Sequence, residues 1–163
     1  MNIKDKKILD ACCGGRMFWF DKENASTLFI DIRNYQEFTT GKGIHERSRK
    51  INPEVVMDFR CMDLPSEHFN LVVFDPPHMK SVGDNSFIAK TYGKLNEGWK
   101  KDLSKGFQEC FRVLKVNGVL IFKWCEYDIP LREVLKCTTQ KPIFGHPSGK
   151  QQKTHWITFF KES

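Results

Sequence analysis

The 163-residue sequence lacks several features that would place it at once in a large class of proteins. No apolar run reaches the roughly 20 residues needed to cross a bilayer, and the polar start of the chain has no apolar signal-peptide core. The six cysteines are scattered, with no Cys-x-x-Cys pair and no His/Cys cluster at zinc-ligand spacing. We therefore expect no membrane span, no metal site and a cytoplasmic protein whose reduced cysteines pack as small apolar side chains.

Two common nucleotide-binding motifs are also missing. The glycine pair Gly14-Gly15 is followed by Arg16, Met17 and Phe18, so the Gly-x-Gly-x-x-Gly pattern that accommodates a dinucleotide pyrophosphate is absent. No Gly-Lys-Ser/Thr tripeptide occurs, which excludes a Walker-type phosphate loop.

The composition fits one folded domain. Hydrophobic residues make up 40% of the chain and charged residues 28%, a mixture that can bury a core. The length argues for a single domain over 1–163. The net charge of +6 suits an anionic partner such as nucleic acid.

Short apolar runs alternate with amphipathic stretches, which is typical of an open α/β sheet with helices on both faces. The apolar runs predict a mostly parallel sheet, with a C-terminal antiparallel hairpin at its edge. A helix is predicted over 102–117, ended by Asn117-Gly118. The predicted strands are 7–11, 28–31, 55–59, 69–74, 119–124 and 155–160, the last pairing with a segment near 141–144. Two polar, lysine- and arginine-containing stretches, 33–52 and 79–101, are predicted to be loops at the carboxyl ends of strands.

Acidic residues stand at the ends of three predicted strands. Asp10 precedes the glycine pair, Asp31 ends the second strand and Asp58 lies at the end of the third. A glycine turn lets a ligand approach the backbone, and a carboxylate at the end of the next strand can accept both hydroxyls of a ribose. This ordered set predicts an adenosyl cofactor.

The tetrapeptide Asp75-Pro76-Pro77-His78 follows the most apolar predicted strand. Two prolines fix two φ angles and remove two backbone donors, so the turn is rigid and presents a carboxylate beside a peptide carbonyl. These two acceptors suit an amino group, which has two hydrogens to donate. We expect them to hold an aromatic amine in line with an electrophilic methyl group, while His78 stacks on the target base or caps the following loop.

With these residues the sequence resembles the class I S-adenosylmethionine-dependent methyltransferases, in particular the amino-methyltransferase branch with an Asp/Asn-Pro-Pro-aromatic signature. The likeness extends from Lys7 to about Trp124 and includes small stand-alone DNA adenine methylases of bacteria and phages. It implies a Rossmann-like, seven-stranded sheet and S-adenosylmethionine as the cofactor. The chain differs from the family pattern in having cysteines where Gly-x-Gly is usual and His78 where Tyr, Phe or Trp is usual.

The resemblance also implies residue roles. Asp31 would hold the ribose hydroxyls, and the adjoining Ile32 is also expected to bind the cofactor. Asp58 and Phe59 would border the adenine, with Asp63 as a rival for the acid. The glycine motif of the family matches Asp10, Ala11, Cys12, Cys13, Gly14 and Gly15. The catalytic motif matches Asp75, Pro76, Pro77 and His78.

The sequence therefore predicts an N-methyltransferase acting on the amino group of adenine in DNA or RNA. Basic loops with His45, Tyr92, Trp99 and His146 would contact the polynucleotide. Because this length leaves no room for a separate target-recognition domain, sequence selectivity would need the loops or a partner protein. Two alternatives stay open: a methyltransferase for a protein amide or a small-molecule amine, and a non-catalytic subunit that keeps only the cofactor fold.

Overall fold

The computed structural model describes residues 3–40, 43 and 46–163. Within these residues the centre of the molecule is a seven-stranded sheet, as predicted. Its strands in chain order are β1 (Ile8–Asp10), β2 (Thr27–Asp31), β5 (Val55–Val56), β6 (Phe69–Phe74), β7 (Leu114–Cys125), β8 (Phe144–Ser148) and β9 (Thr154–Phe160). A separate antiparallel pair consists of β3 (Tyr35–Thr40) and β4 (Arg47–Ile51).

The strand order across the sheet is β5-β2-β1-β6-β7-β9-β8. The first five strands in this order are parallel, and β9 runs antiparallel to both β7 and β8. The chain moves from β1 outward to β2 and later returns to place β6 on the other side of β1. In open α/β sheets this reversal creates a crevice at the carboxyl ends of the strands, where ligands bind.

Three α-helices accompany the sheet in the described part of the chain: α1 (Phe87–Tyr92), α2 (Trp99–Val113) and α3 (Leu131–Val134), the last continued by a 3-10 helix at Leu135–Cys137. The long helix α2 buries Leu103, Phe107 and Cys110 against the sheet. At Gly106 a Cβ atom would lie 2.6 Å from the ring of Phe74 and 2.7 Å from that of Phe59. The helix therefore lies so close to β6 that only glycine fits at this contact.

The sequence predicts helices on both faces of the sheet, but near β2 the face opposite α2 is covered by a segment of turns. Leu28 and Ile30 of β2 belong to the core cluster that includes α2, so Phe29 between them faces the opposite side. On that side the segment 12–26 forms turns rather than a helix. Its Arg16 guanidinium lies 3.9 Å from the ring centre of Phe29, and Trp19 contacts the same ring edge-on. Side chains from a turn segment thus replace a helical layer.

Several element boundaries differ from the sequence prediction. The stretch 33–52 is not a simple loop but contains the β3–β4 hairpin, and 79–101 contains α1 and the start of α2. The predicted helix at 102–117 begins and ends earlier, since β7 starts at Leu114 and the left-handed Asn117 (φ 64°) lies in an irregular part of that strand. The predicted third strand, 55–59, is only two residues long, and the strand predicted near 141–144 is β8.

Two further predictions can be compared with the described residues. Cys13 and Cys110 are buried as expected, whereas Cys61 is exposed. Among the described residues, none of the helices has the length and apolar character required to span a membrane.

Candidate active site

The turn after β1 and the turn after β6 meet at the crevice between these two strands. The Ala11 amide donates to the Val73 carbonyl at 2.9 Å, which fixes the ends of the two strands side by side. One cleft of about 60 Å³, here called the central cleft, is lined by both turns. Its lining residues are Cys12, Cys13, Gly14, Gly15, Met17, Phe18, Arg33, Asp75, Pro76, His78, Thr91, Tyr92 and Lys123.

The glycine turn is held to β2 by hydrogen bonds that two of its backbone amides donate. The Cys13 amide donates to the Ile30 carbonyl at 2.9 Å, and the Gly14 amide donates to Oδ2 of Asp31 at the same distance. Gly14 has φ 48°, a left-handed conformation that glycine adopts without steric cost. The turn therefore places bare backbone directly above the carboxyl end of β2.

Asp10 lies beneath this turn and is fully buried. Its carboxylate accepts hydrogen bonds from the Cys12 amide at 3.2 Å and from the Trp19 indole at 2.7 Å. Burial nevertheless raises the pKa of Asp10 to about 7, because desolvation of the charged form outweighs the two hydrogen bonds. Asp10 supports the turn from below and does not line the central cleft.

Asp31 forms a two-pronged ion pair with Arg33. Oδ1 accepts from the amide and Nε of Arg33, each at 2.9 Å, and Oδ2 accepts from the terminal guanidinium nitrogen at 2.8 Å. The same guanidinium donates to the Lys90 and Thr91 carbonyls at the end of α1. Arg33 thus connects the carboxyl end of β2 to α1 across the central cleft.

Asp75 pairs with Lys123, whose ammonium group donates to Oδ2 at 2.7 Å. Both side chains are mostly but not fully buried. Lys123 comes from β7 and also lies 5.6 Å from the ring centre of Phe18 and 5.8 Å from that of Trp156. The Asp75 carboxylate therefore faces the central cleft and does not cap the end of the strand from a buried position. Its Oδ1 atom has no hydrogen-bond partner among the described residues.

His78 lies beside Asp75 with only 9% of its surface exposed. Burial lowers the pKa of His78, and the nearby Lys123 acts in the same direction, while Asp75 opposes them. The imidazole is therefore neutral near pH 7. Its ring centre is 6.3 Å from that of the half-exposed Tyr92 and 6.1 Å from that of Trp124.

A further polar atom of the cleft, the Thr91 hydroxyl, also lacks a partner among the described residues. The hydroxyl of Thr91 is buried and forms no hydrogen bond in the part of the chain that the structure describes, although Thr91 is only 5% exposed. An unpaired buried hydroxyl costs free energy. Because Thr91 lines the central cleft, a ligand with a polar group at this place would satisfy it.

Other predicted cofactor residues lie outside the central cleft. Asp58 accepts hydrogen bonds from Nε and from a terminal nitrogen of Arg60. These hydrogen bonds lower the pKa of Asp58, although its partial burial acts in the opposite direction. The Arg60 guanidinium also donates to Asp102 of α2 at 3.1 Å. Phe59 packs edge-on against Phe74 with ring centres 5.2 Å apart. The expected contact of these residues with adenine therefore remains a prediction, as do those of Asp63 and of Ile32, which is exposed at the end of β2.

The four aromatic side chains expected near a polynucleotide differ in their placement. Tyr92 lines the central cleft, and His146 is exposed on β8. Trp99 is almost completely buried and packs in the core, so its predicted stacking on a base is wrong. His45 lies outside the described residues.

Sequence reasoning did not single out Arg33, Lys123 or Thr91 as site residues. Two signals could have found the first two. The Asp-x-Arg spacing at Asp31 recurs at Asp58 and is suited to a local ion pair, and a lysine inside the apolar strand β7 needs a charged partner. Nothing in the sequence distinguishes Thr91 from other threonines.

Comparison with known proteins identifies structures with a similar fold but no similar sequence. No protein-family model matches the chain. No curated protein sequence matches it either.

Solved structures do match, over nearly the whole chain. The PH0226 protein of Pyrococcus horikoshii has a TM-score of 0.56 and 15% identity, covering 94% of this chain and 81% of its own. A TehB-like SAM-dependent methyltransferase of Corynebacterium glutamicum has a TM-score of 0.56 and 15% identity, covering 96% and 80%.

A third match is the 1,6-didemethyltoxoflavin-N1-methyltransferase of Burkholderia thailandensis, with S-adenosylhomocysteine bound. It has a TM-score of 0.53 and 12% identity, covering 96% of this chain and 71% of its own. At such identities the likeness concerns the fold. The chain has the Rossmann-like fold of S-adenosylmethionine-dependent methyltransferases, a mostly parallel seven-stranded sheet with an antiparallel strand pair at its C-terminal edge.

Proposed function

We propose that the protein is an S-adenosylmethionine-dependent N-methyltransferase whose acceptor is the exocyclic amino group of adenine in DNA or RNA. One observation carries the proposal. The Asp75-Pro76 corner and the glycine turn line the same cleft, at the crevice where this fold class binds ligands. An acceptor held by the corner would therefore lie next to a cofactor held by the turn.

The residues around the glycine turn fit the chemistry of the cofactor. Gly14 and Gly15 expose their backbone to the cleft, and Asp31 has a carboxylate that can accept hydrogen bonds from ribose hydroxyls. The unpaired Thr91 hydroxyl can form a hydrogen bond with a polar group of the cofactor. When bound, S-adenosylmethionine supplies a methyl group on a positively charged sulfur. The central cleft, at about 60 Å³, is smaller than the roughly 300–1,000 Å³ of typical ligand pockets, so we expect Arg33 and α1, which border it, to move outward when the cofactor binds.

Asp75 and Pro76 suit the task of holding an amine. Lys123 occupies Oδ2 of Asp75, which leaves Oδ1 for one amine hydrogen. The Pro76 carbonyl accepts a hydrogen bond from the His78 ring and keeps a second lone pair for the other amine hydrogen. Holding both hydrogens orients the nitrogen lone pair toward the methyl group, and such alignment can lower a barrier by several kcal/mol, roughly 7–11 at best. As the nitrogen–carbon bond formed, the bond between the methyl carbon and the sulfonium sulfur would break and the neutral thioether would leave. The nitrogen would lose one proton, which Oδ1 of Asp75 would accept.

The neutral imidazole of His78 and the ring of Tyr92 form an uncharged wall of the cleft. A base turned out of its stack can pack on such a surface, because every base offers a π-face. Since a neutral imidazole carries no charge to be desolvated, it can be covered by the base at low cost. This supports a flat aromatic acceptor over an aliphatic amine.

The test is methyl transfer from labelled S-adenosylmethionine to DNA, RNA and protein acceptors, which are then separated. We expect label in nucleic acid and none in protein. Asp75→Ala should abolish transfer and leave cofactor affinity, measured by calorimetry, nearly unchanged. If the wild-type protein binds the cofactor yet labels no nucleic acid, the proposed acceptor is wrong, and equal losses of transfer and cofactor affinity would misplace Asp75.

A further inference from the structure

A second and larger cleft adjoins the central cleft. It has a volume of about 480 Å³ and lies between the turn segment that follows β1 and the β4 side of the hairpin. We call it the hairpin cleft. Gly15, Arg16 and Lys22 line one wall, and Arg49, Lys50 and Asn52 line the other.

The hairpin cleft has an excess of unpaired positive charge. Lys22, Arg49 and Lys50 form no ion pair within the described residues, and the Nε of Arg49 is buried without a hydrogen-bond partner there. On the acidic side, Glu54 is neutralised by Lys6 at 2.8 Å.

Arg16 gives the cleft a fixed floor. Its guanidinium lies over Phe29 and donates to the Lys22 and Asn52 carbonyls, so it bridges the two walls. It also lies 3.7 Å from Glu23, which neutralises part of its charge. With Arg16 and both glutamates engaged, the net charge available to a ligand is that of Lys22, Arg49 and Lys50.

The two clefts are adjacent. Gly14, Gly15 and Met17 line both of them, so a chain-like ligand in the hairpin cleft would lie one turn away from the cleft that contains Asp75. A polynucleotide has the required form: a negatively charged backbone that continues on one side of the target nucleotide. Lysine and arginine contacts to that backbone provide most of the affinity of such complexes.

We propose that the hairpin cleft binds the phosphodiester backbone of the nucleic-acid substrate next to the target nucleotide, through Lys22, Arg49 and Lys50. This rests on the proposed function and adds a binding path to it. It also gives a function to the β3–β4 hairpin, which is not part of the seven-stranded sheet.

The experiment measures binding of fluorescent single-stranded and duplex DNA and RNA between 50 and 200 mM salt. The test variant is Lys22→Gln/Lys50→Gln, since both side chains are exposed and neither ammonium group forms a hydrogen bond or ion pair within the described residues. The matched control is Lys7→Gln/Lys115→Gln, which removes the same charge at the amino ends of β1 and β7, on the opposite edge of the sheet. Adenosine monophosphate serves as a competitor, to distinguish a polynucleotide backbone from a single phosphate.

We expect the test variant to bind its best oligonucleotide about tenfold more weakly, with a salt slope lower by about 1.4 for a single strand. The control should bind within twofold of the wild-type protein, and millimolar adenosine monophosphate should not compete. If the test variant and the control bind alike while the wild-type protein transfers methyl groups to nucleic acid, the hairpin-cleft proposal is wrong and the proposed function stands. If the wild-type protein binds the cofactor but no oligonucleotide, the proposed function and the hairpin-cleft proposal are both wrong. If adenosine monophosphate competes fully, the hairpin cleft binds a single phosphate group and not a polynucleotide backbone, and the hairpin-cleft proposal is wrong.

Discussion

Arg33 fills the hydrogen-bonding capacity of Asp31, the residue expected to hold the ribose of the cofactor. The two oxygens accept three hydrogen bonds from Arg33 and one from the Gly14 amide, and a carboxylate offers about four such positions. Ribose hydroxyls and the Arg33 guanidinium therefore cannot both be bound by Asp31. Cofactor binding at Asp31 requires the guanidinium to leave, which also releases its hold on the end of α1.

Replacing Arg33 should therefore destabilise the free protein and favour the cofactor complex. Arg33→Gln leaves Asp31, which is only 3% exposed, without its counter-charge, a loss of about 3–5 kcal/mol for a buried pair. The rise in melting temperature on adding S-adenosylmethionine should be larger in this variant than in the wild-type protein, because no ion pair has to be broken. Thermal unfolding with and without the cofactor measures both effects.

The chain provides a matched control at Asp58. Arg60→Gln breaks the same Asp-x-Arg arrangement, but there the aspartate side chain is 29% exposed, so solvent replaces the lost partner and the loss should be about 1 kcal/mol or less. If Arg33→Gln and Arg60→Gln lowered the free energy of unfolding equally, burial of the aspartate would not determine the cost of losing its arginine partner. A smaller cofactor-induced shift in Arg33→Gln would show that Arg33 holds the cofactor instead of competing with it.

Asp10 should make stability depend on pH. Its pKa is raised to about 7 in the folded protein and is about 4 in an unfolded chain. Between these values the folded state keeps a proton that the unfolded state has lost, so stability is fully present below pH 4 and falls as the pH rises to about 7. The slope is about 1.4 kcal/mol per pH unit at most, on the order of 4 kcal/mol in all.

Denaturant unfolding of the wild-type protein and of Asp10→Asn between pH 4 and pH 8 tests this. The difference between the two isolates Asp10 from the carboxyl groups whose pKa values are lowered, such as Asp58 and Glu109, since these lose their contribution in acid. We expect the wild-type advantage to shrink as the pH rises. A difference that is constant over this range would mean that Asp10 is ionised throughout.

Gly106 should not tolerate even one methyl group. In Gly106→Ala the Cβ atom would meet the Phe74 and Phe59 rings at 2.6–2.8 Å. Overpacking of this kind costs about 1–3 kcal/mol, which exceeds the gain of up to about 1 kcal/mol from replacing glycine in a helix. Gly83→Ala is the control, because no atom lies within 4 Å of its added Cβ. Urea unfolding should show a loss for the first variant only; a stabilised Gly106→Ala would mean that α2 can shift away from β6.

Lys123 should affect the rate of transfer more than substrate binding. Lys123→Met removes the group that holds Oδ2 of Asp75, so the carboxylate can rotate and lose its alignment with the amine. We expect kcat to fall at least tenfold with KM for the oligonucleotide within threefold, and Lys123→Arg to restore part of kcat. An increase in KM at unchanged kcat would instead make Lys123 a contact to the substrate backbone.

The sheet could be predicted from the sequence because its central strands are short apolar runs bounded by polar turns. The strand at Phe69–Phe74 was predicted at both ends. The β3–β4 hairpin could not be predicted, because polar strands outside the core have no apolar periodicity. The turn segment that replaces a helix before β2 depends on the contacts of Arg16 and Trp19 with Phe29, which no local pattern indicates.

The candidate site was predictable at the level of the two turns and not at the level of ion pairs. Cys12–Gly15 line one cleft together with Asp75, Pro76 and His78, whereas Pro77 does not line it; both turns follow strands that are parallel neighbours in the sheet. Arg33 lies two residues after Asp31, and this local pair could have been found from the Asp-x-Arg spacing, whereas Lys123 reaches Asp75 only because of where β7 places it in space. Lys123 in particular lies 48 residues from its partner, and such pairs follow only from the folded arrangement.

In the proposed reaction, the Asp75-Pro76 corner directs a methyl group onto the amino nitrogen of adenine. The most direct measurement is mass spectrometry of nucleosides from DNA and RNA incubated with the protein and S-adenosylmethionine carrying a deuterated methyl group. Labelled N6-methyladenine nucleosides should form with the wild-type protein and be absent with Asp75→Ala. If cofactor binding is demonstrated, label on another atom of adenine, on another base or on no nucleoside at all would contradict the assignment of the adenine amino group as the acceptor.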